Sequence, residues 1–223
     1  NNIASKFLNR KVIEATNPCG EQPLPPFGSC LLGSFNLVKY VNPEDKTFNF
    51  RKFKGDIPPV VRAMDNVIDR TEYPLDAQQR DHKNKRRMGL GVTALANALT
   101  LMNIRYGSPE SVKITKKIMK TLACVSYEAS SDLAVEKGSF PMFKAEKYLN
   151  SGFVSRLPKD LREKIRKQGM RNSHLTSIAP TGTISFTADN VSSGIEPVFA
   201  LQYDRTVQLE EGPAVMPMKD YVY

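Results

Sequence analysis

An amide, a thiol and a carboxylate occupy alternate positions near the start of the sequence, at Asn17, Cys19 and Glu21. Pro18 and Gly20 separate them, and these two residue types favour a tight turn of the backbone. In an extended or looped segment, residues i, i+2 and i+4 project to the same side, so all three groups could face one substrate. The spacing fits a reactive site and, equally well, a capped turn with a buried cysteine.

A second stretch with candidate binding chemistry begins at Pro180, directly after an apolar segment. Small residues let backbone amides approach a ligand closely, hydroxyl groups add donors, and a helix that begins here would favour an anion at its N-terminus. No Gly-Lys-Ser/Thr sequence follows at Walker A spacing, so the stretch is not a P-loop. It fits a phosphate-binding loop or an ordinary helix cap. The candidate phosphate-binding residues are Pro180, Thr181, Gly182, Thr183, Ile184 and Ser185.

Three blocks of sequence carry a family resemblance. Residues 15–37 contain the Asn-Pro-Cys-Gly-Glu motif, and residues 87–92 read Arg-Met-Gly-Leu-Gly-Val. Residues 169–199 include the candidate phosphate-binding residues 180–185, called the hydroxyl-rich stretch below. In this order they resemble the radical-cysteine region, the glycine-rich start of a helix and the phosphate-binding loop of ribonucleotide reductase large subunits. One departure is Thr-Ala-Leu-Ala-Asn at residues 93–97, where the family more often has Thr-Gly-Leu-Ala-Asp; this helix is a packing element in the family.

The resemblance implies radical-based reduction of a ribonucleotide at its 2′ carbon. Cys19 would be the thiyl radical that takes the 3′ hydrogen atom, Glu21 the general base, and Asn17 the group that orients the ribose hydroxyls. Cys30 would be one half of a dithiol that supplies two electrons when the 2′-hydroxyl leaves as water. In the family the other half lies upstream, so the chain is expected to need that upstream part for activity.

The resemblance also implies the partners of the site. It favours phosphate binding over helix capping for residues 180–185, with a ribonucleoside diphosphate or triphosphate as substrate. A thioredoxin-type or other dithiol reductant would recycle the dithiol, and a homodimer is the expected assembly.

The source of the radical is suggested by the cysteine spacing. Cys30 follows Cys19 closely, as in the adenosylcobalamin-dependent reductases, whereas the oxygen-dependent enzymes usually carry the second cysteine farther along. Residues 40–47, where that cysteine would lie, contain none. The resemblance therefore implies adenosylcobalamin as the cofactor, with a radical from a separate metal-containing subunit as the alternative.

Composition sets outer bounds on the domain organisation. The chain has 223 residues, 40% of them hydrophobic, and no Pro/Gly/Ser-rich linker, so it is predicted to form one domain or part of one. The resemblance implies that residues 1–223 are a single partial catalytic-barrel domain. No apolar run approaches the length of a membrane span, and no signal peptide is recognisable. The lack of an initiator Met suggests that the chain starts inside a longer protein.

The charge raises the alternative of nucleic-acid binding. The formal net charge is +9, and residues 80–87 form a basic run. No aromatic residues interleave with this run and no DNA-binding motif is present, so a solvated basic face is the preferred interpretation.

The cysteines and histidines give little sign of further chemistry. Three cysteines do not form a disulfide framework, which indicates a reducing compartment such as the cytoplasm. Cys124 follows a helical pattern and is predicted to be an inert buried thiol. His82 and His174 lie far apart and have no metal-ligand spacing, so the sequence predicts no metal site and no role for either.

Apolar periodicity predicts alternating strands and helices. The predicted strands are residues 12–15, 30–41 and 173–179, and the predicted helices are residues 60–70, 91–102, 108–137 and 158–168. Pro58 and Pro59 would mark the start of the first helix, and Ser108 would cap the third. Strands separated by long helices predict an α/β fold. The resemblance implies roughly the second half of a ten-stranded α/β barrel with a central finger loop.

Two further functions compete with the reductase interpretation. A glycyl-radical lyase would share a barrel and a radical cysteine, but its C-terminal glycine motif is not visible. A noncatalytic binding or assembly module derived from a reductase would explain the missing second half of the dithiol. Reduction of a nucleotide after addition of the upstream segment discriminates between this module and an enzyme.

Overall fold

The computed structural model describes residues 13–223 and combines helices with short strands. The strands are β1 (Ala15–Thr16), β2 (Pro23–Leu24), β3 (Leu32–Asn36), β4 (Val41–Asn42), β5 (Thr47–Phe48), β6 (Gly89–Thr93), β7 (Gln202–Leu209) and β8 (Gly212–Lys219). The α-helices are α1 (Phe50–Arg70), α2 (Asp76–Lys85), α3 (Leu95–Leu101), α4 (Pro109–Lys137), α5 (Ala145–Leu149), α6 (Lys159–Gln168) and α7 (Ile184–Thr187). The mixed α/β composition predicted from the sequence is confirmed.

The strands pair two by two, as β1 with β2, β3 with β6, β4 with β5 and β7 with β8. These pairs do not form a closed barrel within residues 13–223, and the ten-stranded barrel with its finger loop stays a prediction. Contacts divide the described residues into two compact units, and the single partial catalytic-barrel domain over residues 1–223 stays a prediction. The first unit comprises residues 13–33, Phe50–Gly91 and Lys117–Ala179, and the second comprises Ser34–Asn49, Val92–Lys116 and Pro180–Tyr223.

In the first unit, α1 buries one apolar face, to which Phe53 and Ile57 contribute. The helix therefore begins at Phe50, and the prediction of a start near residue 60 was wrong. Pro58 and Pro59 lie inside the helix on its exposed side, where water can satisfy the carbonyl groups that proline leaves unpaired. Burial of Phe53 and Ile57 outweighs the loss of the helix hydrogen bonds that Pro58 and Pro59 cannot donate.

Helix ends that depend on local sequence agree with the predictions. α4 begins at Pro109, and the hydroxyl of Ser108 accepts a hydrogen bond from the backbone N–H of Ser111 at 3.2 Å. α6 covers residues 159–168, as expected. In the predicted strand 30–41, β3 ends at Asn36, because the side chain of Asn36 accepts from Val38 N–H and starts a 3-10 turn. Val41 then begins β4. Of the predicted strand 12–15, residue 12 lies outside the described residues.

A buried carboxylate organises part of the first unit. Asp65 is fully buried and accepts from Arg86 Nη2 at 2.6 Å, from Asn172 Nδ2 at 2.9 Å and from Arg171 Nε at 3.2 Å. Burial raises the pKa of Asp65, but the hydrogen bond and charge of Arg86, with those of its neighbours, outweigh burial and hold the pKa below its ordinary value. The carboxylate thus links three segments that are distant in sequence.

The same network overturns the prediction of a solvated basic face for residues 80–87. Lys85, Arg86 and Arg87 are all buried, and Lys85 pairs with Asp81 one helical turn away. Arg86 also binds Asp69 at 2.7 Å. The acidic partners of Arg86 lie in α1, outside the basic run, which explains why a local charge pattern did not reveal them.

β6 replaces the predicted start of a helix at residue 91. Leu90 donates its N–H to Leu175 at 2.7 Å and accepts from Ser177 N–H at 3.2 Å, so residues 174–177 run parallel to β6. A Cβ at Gly91 would lie 2.2 Å from the carbonyl oxygen of Ser177. The glycine permits this close approach of two backbones. Within the predicted strand 173–179, the structure has one isolated β-bridge, between Leu90 and Thr176, and no regular strand.

We expect Gly91→Ala to lower the free energy of unfolding by about 1–3 kcal/mol, because the new Cβ overlaps backbone that cannot move aside independently. Gly55→Ala is the matched control, since nothing lies within 4 Å of a Cβ there and the residue is inside α1. That control should instead gain about 0.5–1 kcal/mol. Urea denaturation of both variants measures the difference, and equal stabilities would contradict the proposed backbone contact.

In the second unit, an aromatic cluster of Phe35, Tyr40 and Phe48 is buried, with ring centroids about 6 Å apart in two of its pairs. α3 packs against the 3-10 turn that carries Tyr40. Asn97 of α3 is also buried, and its side chain donates to Asp220 Oδ1 at 2.5 Å and accepts from Ser192 N–H at 2.7 Å. The helix expected to serve as a packing element therefore also fixes polar segments of this unit.

Candidate functional site

The Asn17–Glu21 segment forms the turn of a small hairpin between β1 and β2. Asn17 N–H donates to the carbonyl of Gln22 at 3.2 Å, and Gly20 N–H donates to the carbonyl of Asn17 at 3.0 Å. Gly20 has φ +81°, a conformation that glycine adopts without steric cost. The hairpin therefore holds the motif as a tight loop, as the sequence predicts.

Within this loop, the side chain of Asn17 fixes the carboxylate of Glu21. Asn17 Nδ2 donates to Glu21 Oε1 at 2.5 Å, while Asn17 Oδ1 accepts from Gln22 N–H at 2.9 Å. The second carboxylate oxygen, Glu21 Oε2, is buried and has no hydrogen-bond partner among residues 13–223. One carboxylate oxygen is thus used for orientation, and the other is left unpaired among residues 13–223.

Cys19 lies exposed on the turn. The alternative of a capped turn around a buried cysteine is therefore wrong for the position of this thiol. The Cys19 thiol is therefore accessible from solvent.

Cys30 follows the hairpin, and the pKa of its thiol is influenced by Glu21 and Cys19. Its residue is exposed, yet partial burial of the thiol raises its pKa, and the charges of Glu21 and Cys19 raise it further. The three sequence-predicted groups are thus close enough to interact electrostatically. A raised pKa keeps Cys30 as a protonated thiol at neutral pH, the form that can give up hydrogen.

The loop rests on residues that the sequence did not single out. Ser177 Oγ donates to the carbonyl of Glu21 at 3.0 Å, and Gln22 is buried with its side chain against Gly89. A Cβ at Gly89 would lie 2.3 Å from Gln22 Nε2. The Gly-Leu-Gly pattern of β6 was the available signal, because glycines mark a place where other chain segments approach closely.

Arg87 contacts the second strand of the hairpin, β2. Its side chain is buried, and Nη1 donates to the carbonyl of Pro23 at 3.1 Å. Nη2 has no hydrogen-bond partner in the described part of the chain. Burial lowers the pKa of Arg87, partly offset by the charge of Asp81. The guanidinium therefore helps to hold β2 in place.

Both histidines have structural roles that the sequence did not assign. His82 Nε2 donates to the carbonyl of Arg87 at 2.9 Å, and Nδ1 accepts from Tyr73 at 2.5 Å. His174 Nδ1 lies 2.7 Å from Ser173 Oγ. Burial is the main cause that lowers the pKa of each histidine below the ordinary 6.5, so both are neutral in the fold.

These lowered pKa values predict acid sensitivity that begins near pH 6.5. Below that pH the histidines of the unfolded chain bind protons that the folded chain does not, so stability falls with a slope that approaches about 1.4 kcal/mol per pH unit for each histidine until the folded pKa is reached. His174→Gln should make the slope between pH 6.5 and 5.5 shallower by about 1 kcal/mol per pH unit, because the unfolded histidine is only half protonated at pH 6.5. Urea denaturation at several pH values measures it, and an unchanged slope would argue against a neutral buried His174.

Cys124 was predicted to be an inert buried thiol, and the structure places it half-buried in α4. Burial still raises its pKa, which disfavours the reactive thiolate.

The hydroxyl-rich stretch lies in the second unit, and some of its donors form hydrogen bonds to the backbone of that unit. Thr181 donates its N–H and its hydroxyl to the carbonyl of Ser193, at 2.7 and 2.9 Å. Ser185 Oγ donates to the carbonyl of Gly182 at 2.7 Å. The following helix, α7, is a single turn, so the anion attraction expected from a helix N-terminus contributes little here.

A cavity of about 440 Å³ opens beside this stretch. Gly182, Thr183 and Ser185 line it, whereas Pro180, Thr181 and Ile184 do not. No acceptor among residues 13–223 pairs with the N–H of Gly182 or Thr183. The cavity therefore presents backbone donors that a phosphate could use.

No helix within residues 13–223 is both long and apolar enough to cross a membrane. In the same residues, no cluster of three or more His, Cys, Asp or Glu side chains is arranged to hold a metal ion.

Comparison with protein families supports the resemblance of the three sequence blocks. A family model described as "Ribonucleotide reductase, barrel domain" matches residues 1–221. This chain belongs to the ribonucleotide reductase barrel-domain family. The alternative of a glycyl-radical lyase is thereby set aside.

Relatives of this ribonucleotide reductase chain come from distant organisms. It is 40% identical over 195 residues to a vitamin B12-dependent ribonucleoside-diphosphate reductase of Thermoplasma acidophilum, covering 87% of this chain and 23% of that protein. A protein of the same name from Mycobacterium tuberculosis is 37% identical over 206 residues, 92% of this chain and 27% of the relative. The ribonucleoside-diphosphate reductase large subunit of Variola virus is 32% identical over 231 residues, 97% of this chain and 29% of the relative. The chain thus spans about a quarter of the length of these relatives.

Proposed function

We propose that this chain carries the radical cysteine and the substrate-phosphate loop of a ribonucleoside-diphosphate reductase. The observation that carries the proposal is the Asn17–Glu21 loop, in which a fixed carboxylate with one unpartnered oxygen lies two residues from an exposed thiol. The diphosphate form of the substrate is favoured because the relatives are named for it.

In the proposed reaction, a thiyl radical on Cys19 takes the 3′ hydrogen atom of the ribose, and Glu21 Oε2 accepts the proton of the 3′-hydroxyl. Asn17 keeps Glu21 in the required orientation. The 2′-hydroxyl then takes a proton from one thiol of a dithiol and leaves as water. The other thiol supplies the hydrogen that the 2′ carbon gains, the two sulfur atoms join as a disulfide, and Glu21 returns its proton to the 3′ oxygen. Hydrogen from the Cys19 thiol finally returns to the 3′ carbon, which restores the thiyl radical.

The electrons come from a pair of thiols. Cys30 is one of them, and we propose that the second lies in the upstream part of the large subunit. The net change is one ribonucleotide plus one dithiol giving one deoxyribonucleotide, one disulfide and one water. A thioredoxin-type reductant would restore the dithiol. The cytoplasmic location stays a prediction, and so does the homodimer.

We further propose that the radical originates from adenosylcobalamin. Two of the relatives are named as vitamin B12-dependent. When bound, this cofactor supplies an alkyl radical by homolysis of its cobalt–carbon bond. The exposed position of Cys19 fits the need for a bulky group to reach the thiol.

The test combines this chain with the upstream large-subunit segment, CDP, dithiothreitol and adenosylcobalamin, and measures dCDP. Formation of dCDP that depends on all components supports the proposal. Product that requires a metal-containing partner subunit and ignores cobalamin would overturn the cofactor while keeping the reductase. If CDP binds but neither radical source yields product, the chain is a noncatalytic module.

A further inference from the structure

The cavity beside the hydroxyl-rich stretch contains one cation, Arg205 of β7. Its guanidinium carbon lies 3.8 Å from the centre of the Phe186 ring, and Phe186 also lines the cavity. Stacking on an aromatic face fixes the plane of a guanidinium and leaves its N–H groups at the rim available. Arg205 is therefore held in place without use of its hydrogen-bond donors.

Arg205 has no carboxylate partner within residues 13–223. The two acidic residues of the cavity are already engaged. Glu196 Oε1 accepts from the N–H and the hydroxyl of Ser193, at 2.5 and 2.9 Å. Asp220 Oδ1 accepts from Asn97 Nδ2 at 2.5 Å and from Val222 N–H at 3.0 Å. The cavity thus contains a preorganised cation whose charge no neighbouring carboxylate pairs with.

Neutral donors face the same space. The backbone N–H groups of Gly182 and Thr183 have no acceptor among the described residues, and both residues line the cavity with Arg205. Backbone amides together with a guanidinium fork match the oxygens of a phosphate group. A single cation contributes most where the ligand charge is highest, which in a nucleoside diphosphate is the terminal phosphate.

We infer that Arg205 binds the terminal phosphate of a ribonucleoside diphosphate and favours the diphosphate over the unphosphorylated nucleoside. The inference rests on the proposed function, because it takes residues 182–185 as the substrate-phosphate loop. It adds Arg205, on β7, to the binding site, which the sequence motifs did not include.

Removing this charge should weaken binding selectively. A charge-assisted hydrogen bond contributes enough that Arg205→Gln should lower the affinity for CDP about 10- to 100-fold. Affinity for cytidine should stay unchanged, since cytidine has no phosphate. The dependence of CDP binding on salt concentration should also become shallower.

Lys219→Gln is the matched control. Lys219 lies on β8 of the same hairpin and its ammonium group also stacks on an aromatic ring, Tyr223, at 4.3 Å, but it does not line the cavity. This variant loses the same formal charge, so it separates a local contact from the general effect of net charge. Arg205→Lys keeps the charge without the planar fork and should bind CDP with intermediate affinity.

The experiment titrates the protein and each variant with CDP, cytidine and inorganic pyrophosphate by calorimetry, with thermal unfolding of the free proteins as a measure of folding. Loss of CDP and pyrophosphate binding in Arg205→Gln, with Lys219→Gln unchanged, supports the inference. Equal CDP affinity in wild type and Arg205→Gln overturns it, as does a wild type that binds neither phosphate compound. A chain that binds CDP through Arg205 but never yields dCDP in the reconstituted assay would overturn the proposed function alone.

Discussion

We expect Cys19→Ser to abolish dCDP formation in the reconstituted assay while the fold stays intact. An S–H bond is weak enough for reversible exchange of a hydrogen atom with carbon, whereas the O–H bond of serine is too strong to form the required radical. The side chain is exposed on the turn and serine has nearly the same shape, so folding should not change. Product formation and circular dichroism measure the two effects.

Cys124→Ser provides the comparison for this variant. Cys124 is half-buried in α4, and its replacement tests whether loss of any thiol reduces activity. We expect this variant to keep close to wild-type turnover. Substantial dCDP formation by Cys19→Ser would place the radical on another residue and contradict the assignment.

The second large effect is expected for Glu21→Gln, which should lower kcat about 100- to 10,000-fold with little change in KM. The amide oxygen of glutamine can still accept the hydrogen bond from Asn17, so the loop should keep its shape. The amide cannot accept the proton of the 3′-hydroxyl at neutral pH. Steady-state kinetics of dCDP formation measures both constants.

Glu14→Gln is the control for the lost negative charge. Glu14 is exposed beside β1 on the same hairpin, and its backbone N–H donates to the carbonyl of Leu24 at 3.3 Å, a bond that the substitution keeps. It should leave kcat unchanged. A Glu21→Gln enzyme with near wild-type kcat would show that another group accepts the proton.

Sequence reasoning succeeded where the signal was local. Ser108 and Pro109 begin α4 because a hydroxyl cap and a first-turn proline act within one helical turn. The alternate spacing of Asn17, Cys19 and Glu21 correctly predicts a looped segment, because the turn needs only the residues inside it.

The errors arose where distant segments meet. Residues 89–93 form β6 because Gly91 allows the backbone at Ser177 to approach, and no local pattern contains that partner. Arg86 is buried because Asp65 is available in α1, which the pattern of residues 80–87 does not show. The contact of Ser177 with the Asn17–Glu21 loop is likewise between segments distant in sequence. The stacking of the Arg205 guanidinium on Phe186 also joins separate segments.

The buried carboxylate of Asp65 also bears on how the chain folds during synthesis. Its partners Arg171 and Asn172 emerge from the ribosome more than a hundred residues after Asp65, at separations of 106 and 107. Until then, α1 exposes an apolar face and a carboxylate that lacks two of its partners. The first unit, built from three separate stretches of chain, can therefore complete its core only after residues 171 and 172 have been synthesised. Such long-range closure slows folding and extends the time during which the nascent chain needs protection from aggregation.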